Sequence, residues 1–183
     1  EVHFKATFWN SFLNDQWRII SVPSILNDNS TKNIFSKEMG SDPSASQWMI
    51  YDWSDPNWIV PMDIVTGKSY WINQIKYSSI DFVLDSGLTT NLTGFDIVLN
   101  SGWNLISSPY LFPVNLFLEN DNVSEFFYFD GSGWADTTVT TLSPWAGYAV
   151  FNYSENQQSI KLRPLKENSD VNIAVNQGSH WAV

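Results

Sequence analysis

The stretch Trp17-Arg-Ile-Ile-Ser-Val-Pro23 decides the fold, because it recurs 86 residues later as Trp103-Asn-Leu-Ile-Ser-Ser-Pro109. Three more matches follow it, in the same order, in both halves of the chain. They pair Tyr51-Asp52 before Trp58 with Phe129-Asp130 before Trp134, Gly67-Lys-Ser-Tyr70-Trp-Ile72 with Trp145-Ala-Gly-Tyr148-Ala-Val150, and Ile80-Asp-Phe82 with Ile160-Lys-Leu162. Four ordered matches predict an internal repeat, with one insertion in a surface loop between Pro23 and Tyr51.

Short apolar runs separated by Gly, Pro, Asn, Asp and Ser fill both halves, a pattern typical of the strands and turns of sandwiches and barrels. The predicted strands are 2–9, 17–22, 47–52, 58–60, 69–72, 79–84, 94–99, 103–107, 126–129, 147–152 and 159–162. Two short helices are predicted at 29–39 and 114–118. Asp130-Gly131 is predicted to form a tight hairpin turn, because glycine tolerates a positive φ.

The fold class that follows is all-β, with two similar antiparallel β halves, sandwich or barrel-like, packed as one pseudo-two-fold unit. Residues 1–88 are the first β repeat, 89–168 the second, and 169–183 a C-terminal tail or the start of the next segment, with a connector at 85–92. A half of this size buries too little of its surface to be stable alone. We therefore expect a shared aromatic core between the halves, built from Trp17, Trp103, Tyr70 and Tyr148.

The chain of 183 residues is acidic and aromatic, with a net charge of −10 and ten tryptophans. A nucleic-acid-binding protein needs a basic stripe to neutralise phosphates, and the nine scattered Lys and Arg provide none. The same charge argues against docking on an anionic membrane surface. The sequence also lacks a run of about 18 apolar residues, the length needed to span a bilayer. We expect no nucleic-acid partner and no membrane insertion.

Cysteine is absent, which excludes disulfides, thiolate zinc sites and cysteine nucleophiles. Low charge, many Asn, Ser and Thr residues and abundant Trp favour a secreted or cell-surface protein. Glu1 opens directly into strand-like sequence, so we expect any targeting segment to have been removed or never to have been part of this sequence. The chain is predicted to be one module of a larger secreted protein.

Three segments together resemble a known family. They are Gln16-Trp-Arg-Ile-Ile-Ser-Val-Pro23, Gly102-Trp-Asn-Leu-Ile-Ser-Ser-Pro-Tyr-Leu-Phe-Pro113 and Ser143-Pro-Trp-Ala-Gly-Tyr148. They resemble the tandem "GWNLIS…GYW" module of large secreted and surface proteins of Bacteroidetes-like and related environmental bacteria, over about residues 9–164. The resemblance implies an accessory, non-catalytic role, often upstream of a C-terminal sorting domain of type IX secretion, and implies no settled ligand. Ala149 departs from the aromatic residue that usually follows Tyr, whereas Trp71 keeps it.

Catalytic groups are sparse. The two histidines, His3 and His180, lie near opposite ends of the chain, and no nucleophile elbow, phosphate-binding loop or dinucleotide fingerprint is present. A glycosidase-like pair among the nineteen carboxylates stays formally open, although nothing singles out a pair. We expect that the protein is not an enzyme.

Calcium is a weak candidate. Asp52-Trp-Ser-Asp55 and Glu119-Asn-Asp-Asn122 offer oxygen ligands, but neither has the spacing of a defined calcium loop. Solvated acidic loops are the simpler interpretation, so we assign no cofactor and no metal-binding residue.

The candidate ligand-binding residues are four tryptophans at turns and two matching carboxylates: Trp53, Trp58, Trp134, Trp145, Asp52 and Asp130. Rings at turns are hard to bury, exposed apolar surface marks binding sites, and flat rings stack well on sugar faces. The carboxylates could orient sugar hydroxyls. Two alternatives remain: rings that fold back over their own strands, and carboxylates that accept backbone N–H bonds at the turns.

The predicted function is a non-catalytic accessory module that binds carbohydrate or another extracellular surface. Its predicted partners are a polysaccharide or glycan and the neighbouring domains of the parent protein. The alternative is a structural spacer or stalk that links a catalytic or adhesive domain to a sorting domain. Exposure separates the two, because two or more turn tryptophans on one open face favour binding, whereas burial of all ten favours the spacer.

Overall fold

The computed structural model describes residues 2–8, 16–39, 48–54, 56–74, 80–116, 121–135 and 137–164, and for 2–8, 36–38 and 80–86 only the backbone. Within these ranges the protein is mostly β, with antiparallel sheets and one short helix, so the predicted all-β class is confirmed. No helix in this part of the chain has the length and apolar character needed to cross a bilayer.

The first half contains seven strands and the helix. They are β1 (Val2–Phe8), β2 (Arg18–Ser21), β3 (Ile25–Leu26), α1 (Thr31–Met39), β4 (Trp48–Ser54), β5 (Asn57–Ile59), β6 (Ser69–Gln74) and β7 (Ile80–Leu88). One sheet has the order β2-β6-β4-β5 and a second has the order β1-β7-β3. The first strand of this half therefore pairs with its last, which also pairs with β3, while the other four strands form a separate sheet.

The second half repeats part of this pairing with the strands that its described residues form. They are β8 (Phe95–Leu99), β9 (Gly102–Ser107), β10 (Val114–Asn115), β11 (Phe127–Tyr128), β12 (Thr141–Leu142), β13 (Gly147–Asn152) and β14 (Gln158–Leu162). The sheets are β11-β13-β9, β14-β8 and β10-β12. Again the first strand pairs with the last, and the strand that carries Gly147-Tyr148 lies between two neighbours, as β6 does.

Each of the eleven predicted strands overlaps a strand of the structure, and the predicted helix at 29–39 corresponds to α1. The helix predicted at 114–118 is wrong, because Val114 and Asn115 pair with Leu142 and Thr141 as strand β10. The connector predicted at 85–92 is too long at its start, since β7 continues to Leu88.

Two large apolar cores stabilise the fold, together with a small third cluster that takes Ile19 from the first half and Leu105 and Ala149 from the second. The first contains Ile20, Phe35, Trp48, Tyr70 and Ile72, among other residues. The second is built from Ile97, Leu99, Ile106, Phe126, Tyr148 and Val150 with their neighbours. Because each buried tyrosine belongs to a different core, Tyr70 and Tyr148 do not build the predicted shared core. Aromatic packing between the halves is made by other rings, such as Trp71 and Phe129, around the small third cluster.

The positions of Trp17 and Trp103 also differ from the predicted shared aromatic core. Trp103 is 46% exposed, and half-buried Trp17 belongs to neither of the two cores. On β9, Trp103 and Leu105 project from one face and Ile106 from the other, since successive side chains of a strand alternate. Ile106 enters the second core, and this places Trp103 on the opposite face.

The two halves meet through matching serines. The backbone N–H of Ser21 donates to the carbonyl of Trp145 at 3.0 Å, and the N–H of Ser107 donates to the carbonyl of Gly67 at 2.9 Å. The Ser21 hydroxyl donates to the carbonyl of Ala146 at 3.0 Å, and the Ser107 hydroxyl donates to the carbonyl of Lys68 at 2.9 Å. Each half thus receives the same set of hydrogen bonds from the other.

The buried tyrosines make matching contacts as well. Tyr70 OH accepts a hydrogen bond of 2.8 Å from the backbone N–H of Val65, and Tyr148 OH accepts one of 2.8 Å from that of Ser143. Burial raises the pKa of both phenols above the ordinary value. Each phenol therefore stays neutral and ties the loop before its own strand to the core.

Strand register changes one detail of the sequence alignment. Trp53 lies opposite Trp58 in the hairpin of β4 and β5, and Phe129 lies opposite Trp134 in the hairpin after β11. The sequence alignment matched Phe129 to Tyr51. In the structure Phe129 instead corresponds to Trp53, which lies two residues after Tyr51. A shift of two residues keeps the side chain on the same face of the strand, so the predicted pairing of Trp58 with Trp134 is unaffected.

Candidate functional site

An aromatic surface covers the sheet face that points away from the first core. On β4, Ile50 and Asp52 are buried on the core side, whereas Tyr51 and Trp53 alternate with them and project to the other side. On β6, Trp71 projects to this side, between buried Tyr70 and Ile72.

Trp71 is the centre of this surface. Its ring centroid lies 6.3 Å from Trp17 and 6.4 Å from Trp58 in the first half. It also lies 4.8 Å from Phe129 and 6.1 Å from Trp134 in the second half. The interplanar angles of 85° to Trp58 and 90° to Trp134 set the central ring edge-on to both outer rings.

Two adjoining cavities open along this surface, and together we call them the aromatic groove. The main cavity has a volume of about 500 Å³ and is lined by Trp53, Trp58, Trp71, Trp103, Leu105, Phe127, Trp134 and Ala149. The side cavity has a volume of about 490 Å³ and is lined by Trp17, Tyr51, Trp58 and Trp71. Trp58 and Trp71 belong to both cavities and so lie between them.

The rings at the rim are open to water. Trp58 is 51% exposed and Trp134 47%, each on one of the two hairpins, and Trp103 is exposed to a similar extent. Such a contiguous apolar surface is uncommon on a globular domain unless it contacts something. The groove therefore has the properties of a binding surface.

Ala149 is the smallest residue that lines the main cavity. It lies between Phe127 on β11 and Leu105 on β9, in the row that corresponds to Tyr51, Trp71 and Ile19 in the first half. Where the first half has the large ring of Trp71, the second half has a methyl group. This buried methyl group lines the main cavity and packs with Ile19 and Leu105.

The structure brings together three of the four predicted tryptophans. Trp53, Trp58 and Trp134 line the main cavity. Trp145 does not line either cavity: it packs against the first core, on a backbone with φ of 67°. Its counterpart is Gly67, also at positive φ, so the loop geometry is shared and only the side chain differs.

The two predicted carboxylates lie away from the groove. Asp52 is buried on the core side of β4, where its Oδ2 lies 2.6 Å from Lys68 Nζ. It projects from the face opposite to Trp53, so it cannot contact a ligand on the aromatic side.

Asp130 caps its hairpin, as the alternative interpretation of this residue predicted. Its Oδ1 accepts hydrogen bonds from the backbone N–H and hydroxyl of Ser132, both at 2.7 Å, and from the N–H of Gly133 at 3.0 Å. These bonds, the backbone bond of Ser132 first, lower the pKa of Asp130 to about 2, with a smaller contribution from Arg18.

The sequence interpretation missed seven residues of the groove: Trp17, Tyr51, Trp71, Trp103, Leu105, Phe127 and Ala149. A signal for two of them was present, because Trp71 follows core Tyr70 and therefore points the other way. Ala149 carried a signal too, as the departure from the aromatic residue that usually follows Tyr. Without a structure, neither signal indicates which face is open to water.

The calcium candidates gain no support from the described residues. Within the described ranges, no three His, Asp or Glu residues form a group that could hold a metal ion. Asp55 and Glu119 of the two candidate loops lie outside those ranges, as do His180 and the side chain of His3.

The chemistry of the groove is that of an uncharged, nearly all-carbon surface. Among the described residues that line it, only the Tyr51 phenol and the indole N–H groups are polar, and none is charged. Comparisons with family models, curated proteins and solved structures find no match to this chain.

Proposed function

We propose that this chain is a non-catalytic accessory module of a secreted or cell-surface bacterial protein, and that it binds carbohydrate through the aromatic groove. One observation carries the proposal: Trp58 and Trp134, from two different hairpins, stand half-exposed on either side of Trp71. Two turn tryptophans on one open groove are the arrangement that favours a binding module over a spacer.

The physical argument concerns the cost of these rings in water. Each exposed indole keeps a large apolar area hydrated, and covering it stabilises a complex by about 25 cal/mol per Å². A pyranose ring presents carbon-bound hydrogens on its faces and keeps its hydroxyls at the edge. It can therefore cover an indole while its hydroxyls remain in water or reach the polar residues of the rim.

The groove supports binding without catalysis. Hydrolysis of a glycosidic bond uses two carboxylates that flank it. The described lining residues include no carboxylate, and Asp52 and Asp130 are held in an ion pair and a hairpin cap outside it. The acid and base that such a reaction needs have no candidates in the described part of the groove.

A duplicated unit explains why the groove lies where the halves meet. The matched serine bonds at the junction, the matched tyrosine bonds and the shared order of strand pairing support two copies related by an approximate two-fold axis. In that arrangement the two hairpins that carry Trp58 and Trp134 come to the same side of the molecule. Both copies then contribute to one surface.

The test is a glycan array probed with the wild-type protein and with the double variant Trp58→Ala/Trp134→Ala. We expect wild-type binding to at least one polysaccharide and a loss of about tenfold or more in the double variant, since two stacked rings are removed. Phe112→Ala is the matched control, because Phe112 is an exposed ring that stacks on Tyr110 outside the groove.

Two results would count against the proposal. If the wild type binds no glycan on the array, carbohydrate recognition is excluded and the spacer alternative gains. If the double variant binds as well as the Phe112→Ala control, a glycan is bound elsewhere on the protein. Urea unfolding of all three proteins separates loss of binding from loss of folding.

A further inference from the structure

The groove crosses the junction between the two halves. Its central contact joins Trp71 of the first half to Phe129 and Trp134 of the second, at 4.8 Å and 6.1 Å between ring centroids. The main cavity takes its lining from both halves, whereas the side cavity is lined by first-half residues. A ligand that fills the groove therefore contacts both halves at once.

The two cavities adjoin each other. Trp58 and Trp71 line both cavities and lie between them. Each cavity alone is within the usual size of a small-molecule site, about 300–1,000 Å³. An occupant that extends from one cavity into the other must be elongated.

The duplication gives each half a cavity. Trp17, Tyr51, Trp58 and Trp71 of the side cavity correspond to Trp103, Phe127, Trp134 and Ala149 of the main cavity. The two cavities are not equivalent, because the second half has a methyl group where the first has the ring of Trp71, and the main cavity is also lined by three first-half rings. Since Trp58 and Trp71 line both cavities, an elongated ligand over these rings contacts both, and this predicts one ligand for each molecule.

Charge decides the class of polymer. The described residues that line the two cavities are uncharged, and the chain carries a net charge of −10. A polyanion would be repelled by the protein as a whole, and a polycation would find no carboxylate in the described lining. A neutral polymer is bound without either cost.

From these observations, and resting on the proposed function, we infer that the aromatic groove binds one extended chain of a neutral, β-linked polysaccharide. The chain passes over Trp71 and occupies both cavities. Pyranoses with mostly equatorial hydroxyls fit best, since they present carbon-bound hydrogens on both faces to a surface that offers few hydrogen-bonding groups.

The first test compares polymers by affinity electrophoresis. Soluble β-glucan, xylan and glucomannan are the neutral probes, and carboxymethylated cellulose, alginate and heparin are the anionic ones. We expect retardation by at least one neutral polymer at low and high salt alike, because no charges are paired. Binding to anionic polymers only, or binding that high salt abolishes, would overturn the inference and leave carbohydrate binding intact.

The second test uses chain length. By calorimetry with β-linked glucose or xylose oligosaccharides, chosen according to the polymer that binds, we expect a hexasaccharide to bind about tenfold more tightly than a disaccharide, at one per protein. Trp17→Ala removes a wall of the side cavity and should reduce hexasaccharide affinity about tenfold while the disaccharide is unaffected. Trp17→Phe, which keeps a ring, should restore most of the difference.

The third test fills the main cavity. Ala149→Phe should lower the affinity for the hexasaccharide by about tenfold or more, and Ala149→Leu, a smaller change, should lower it less. A ratio of two hexasaccharides per protein, equal affinities for short and long chains, or full binding by a folded Ala149→Phe variant would contradict the single extended groove. Failure of every probe to bind would instead remove the proposed function on which the inference rests.

Discussion

The tryptophans of the described strands divide by the face from which they project. Trp48 on β4 is 2% exposed, packs against Phe35 at 5.7 Å and belongs to the first core. Trp103 on β9 contacts Phe127 and Phe151, at 5.7 Å and 5.2 Å, on the side that faces water. The same residue type therefore stabilises the fold at one position and forms the groove at the other.

This division predicts unequal costs of truncation. Trp48→Ala should lower the free energy of unfolding by about 3–5 kcal/mol, because it leaves a cavity in a packed core. Trp103→Ala should cost about 1 kcal/mol, since it removes aromatic contacts at the surface. Urea denaturation followed by circular dichroism measures both, and equal losses would place Trp103 in a core after all.

The lowered pKa of Asp130 predicts how the stability of its hairpin depends on pH. Its pKa falls from the ordinary 3.8 to about 2 in the folded protein. A lowered folded-state pKa means that the carboxylate stabilises the hairpin above the ordinary pKa, and that this contribution disappears as the pH falls towards 2. The advantage of the wild type over Asp130→Ala should therefore be constant near neutral pH and vanish in acid. An advantage that persists at the lowest pH would rule out the carboxylate as its source.

At the scale of elements, the strands with alternating or continuous apolar residues could be predicted from the sequence. Strands β3 and β12 could not, because each has two residues and shows no period. The pair Val114–Asn115 was mistaken for helix because its strand partner, β12, is about 26 residues away and has no sequence signal. Pairing between distant segments decides such short strands.

The sequence also could not show which face of each strand is buried in a core. Five of the six residues of β13 are buried, on both faces, so alternation groups Tyr148 with Val150 but does not say what covers Ala149. The same ambiguity placed Trp103 in a core. For the site, Trp53, Trp58 and Trp134 could be predicted from their turns, whereas Asp52 could not be excluded until the structure showed it on the core side.

The tyrosine bonds give a prediction for the matched elements β6 and β13. Tyr70→Phe and Tyr148→Phe each leave one backbone N–H, of Val65 or Ser143, without its acceptor. Each change should lower the free energy of unfolding by about 1 kcal/mol, and the two losses should be similar. Thermal or urea unfolding of the two variants checks this, and a large loss in only one half would show that the loops are not equivalent.

At the scale of the whole molecule, the junction is packed too tightly for one more methyl group. A Cβ at Gly147 would overlap with Ile19 Cγ2 and would lie 2.5 Å from Ser69 Cβ, both in the other half. Together with the serine bonds, this close approach is a direct contact between the two halves.

Gly147→Ala tests that packing. The substitution should destabilise the protein by about 1–3 kcal/mol, because the halves must separate slightly to accept the methyl group. Gly133→Ala is the control, since no atom lies within 4 Å of its added Cβ. Wild-type stability of Gly147→Ala, measured by urea unfolding, would mean that the two halves do not meet as described.

The central claim is that the exposed tryptophans of the aromatic groove bind a neutral glycan. The most direct measurement is the indole N–H region of a two-dimensional NMR spectrum, recorded while a β-linked glucose or xylose hexasaccharide is added. The account predicts that the signals of Trp58, Trp71 and Trp134 shift together with one binding constant, while that of core Trp48 stays in place. Unchanged signals of these three residues in the presence of bound hexasaccharide would contradict it.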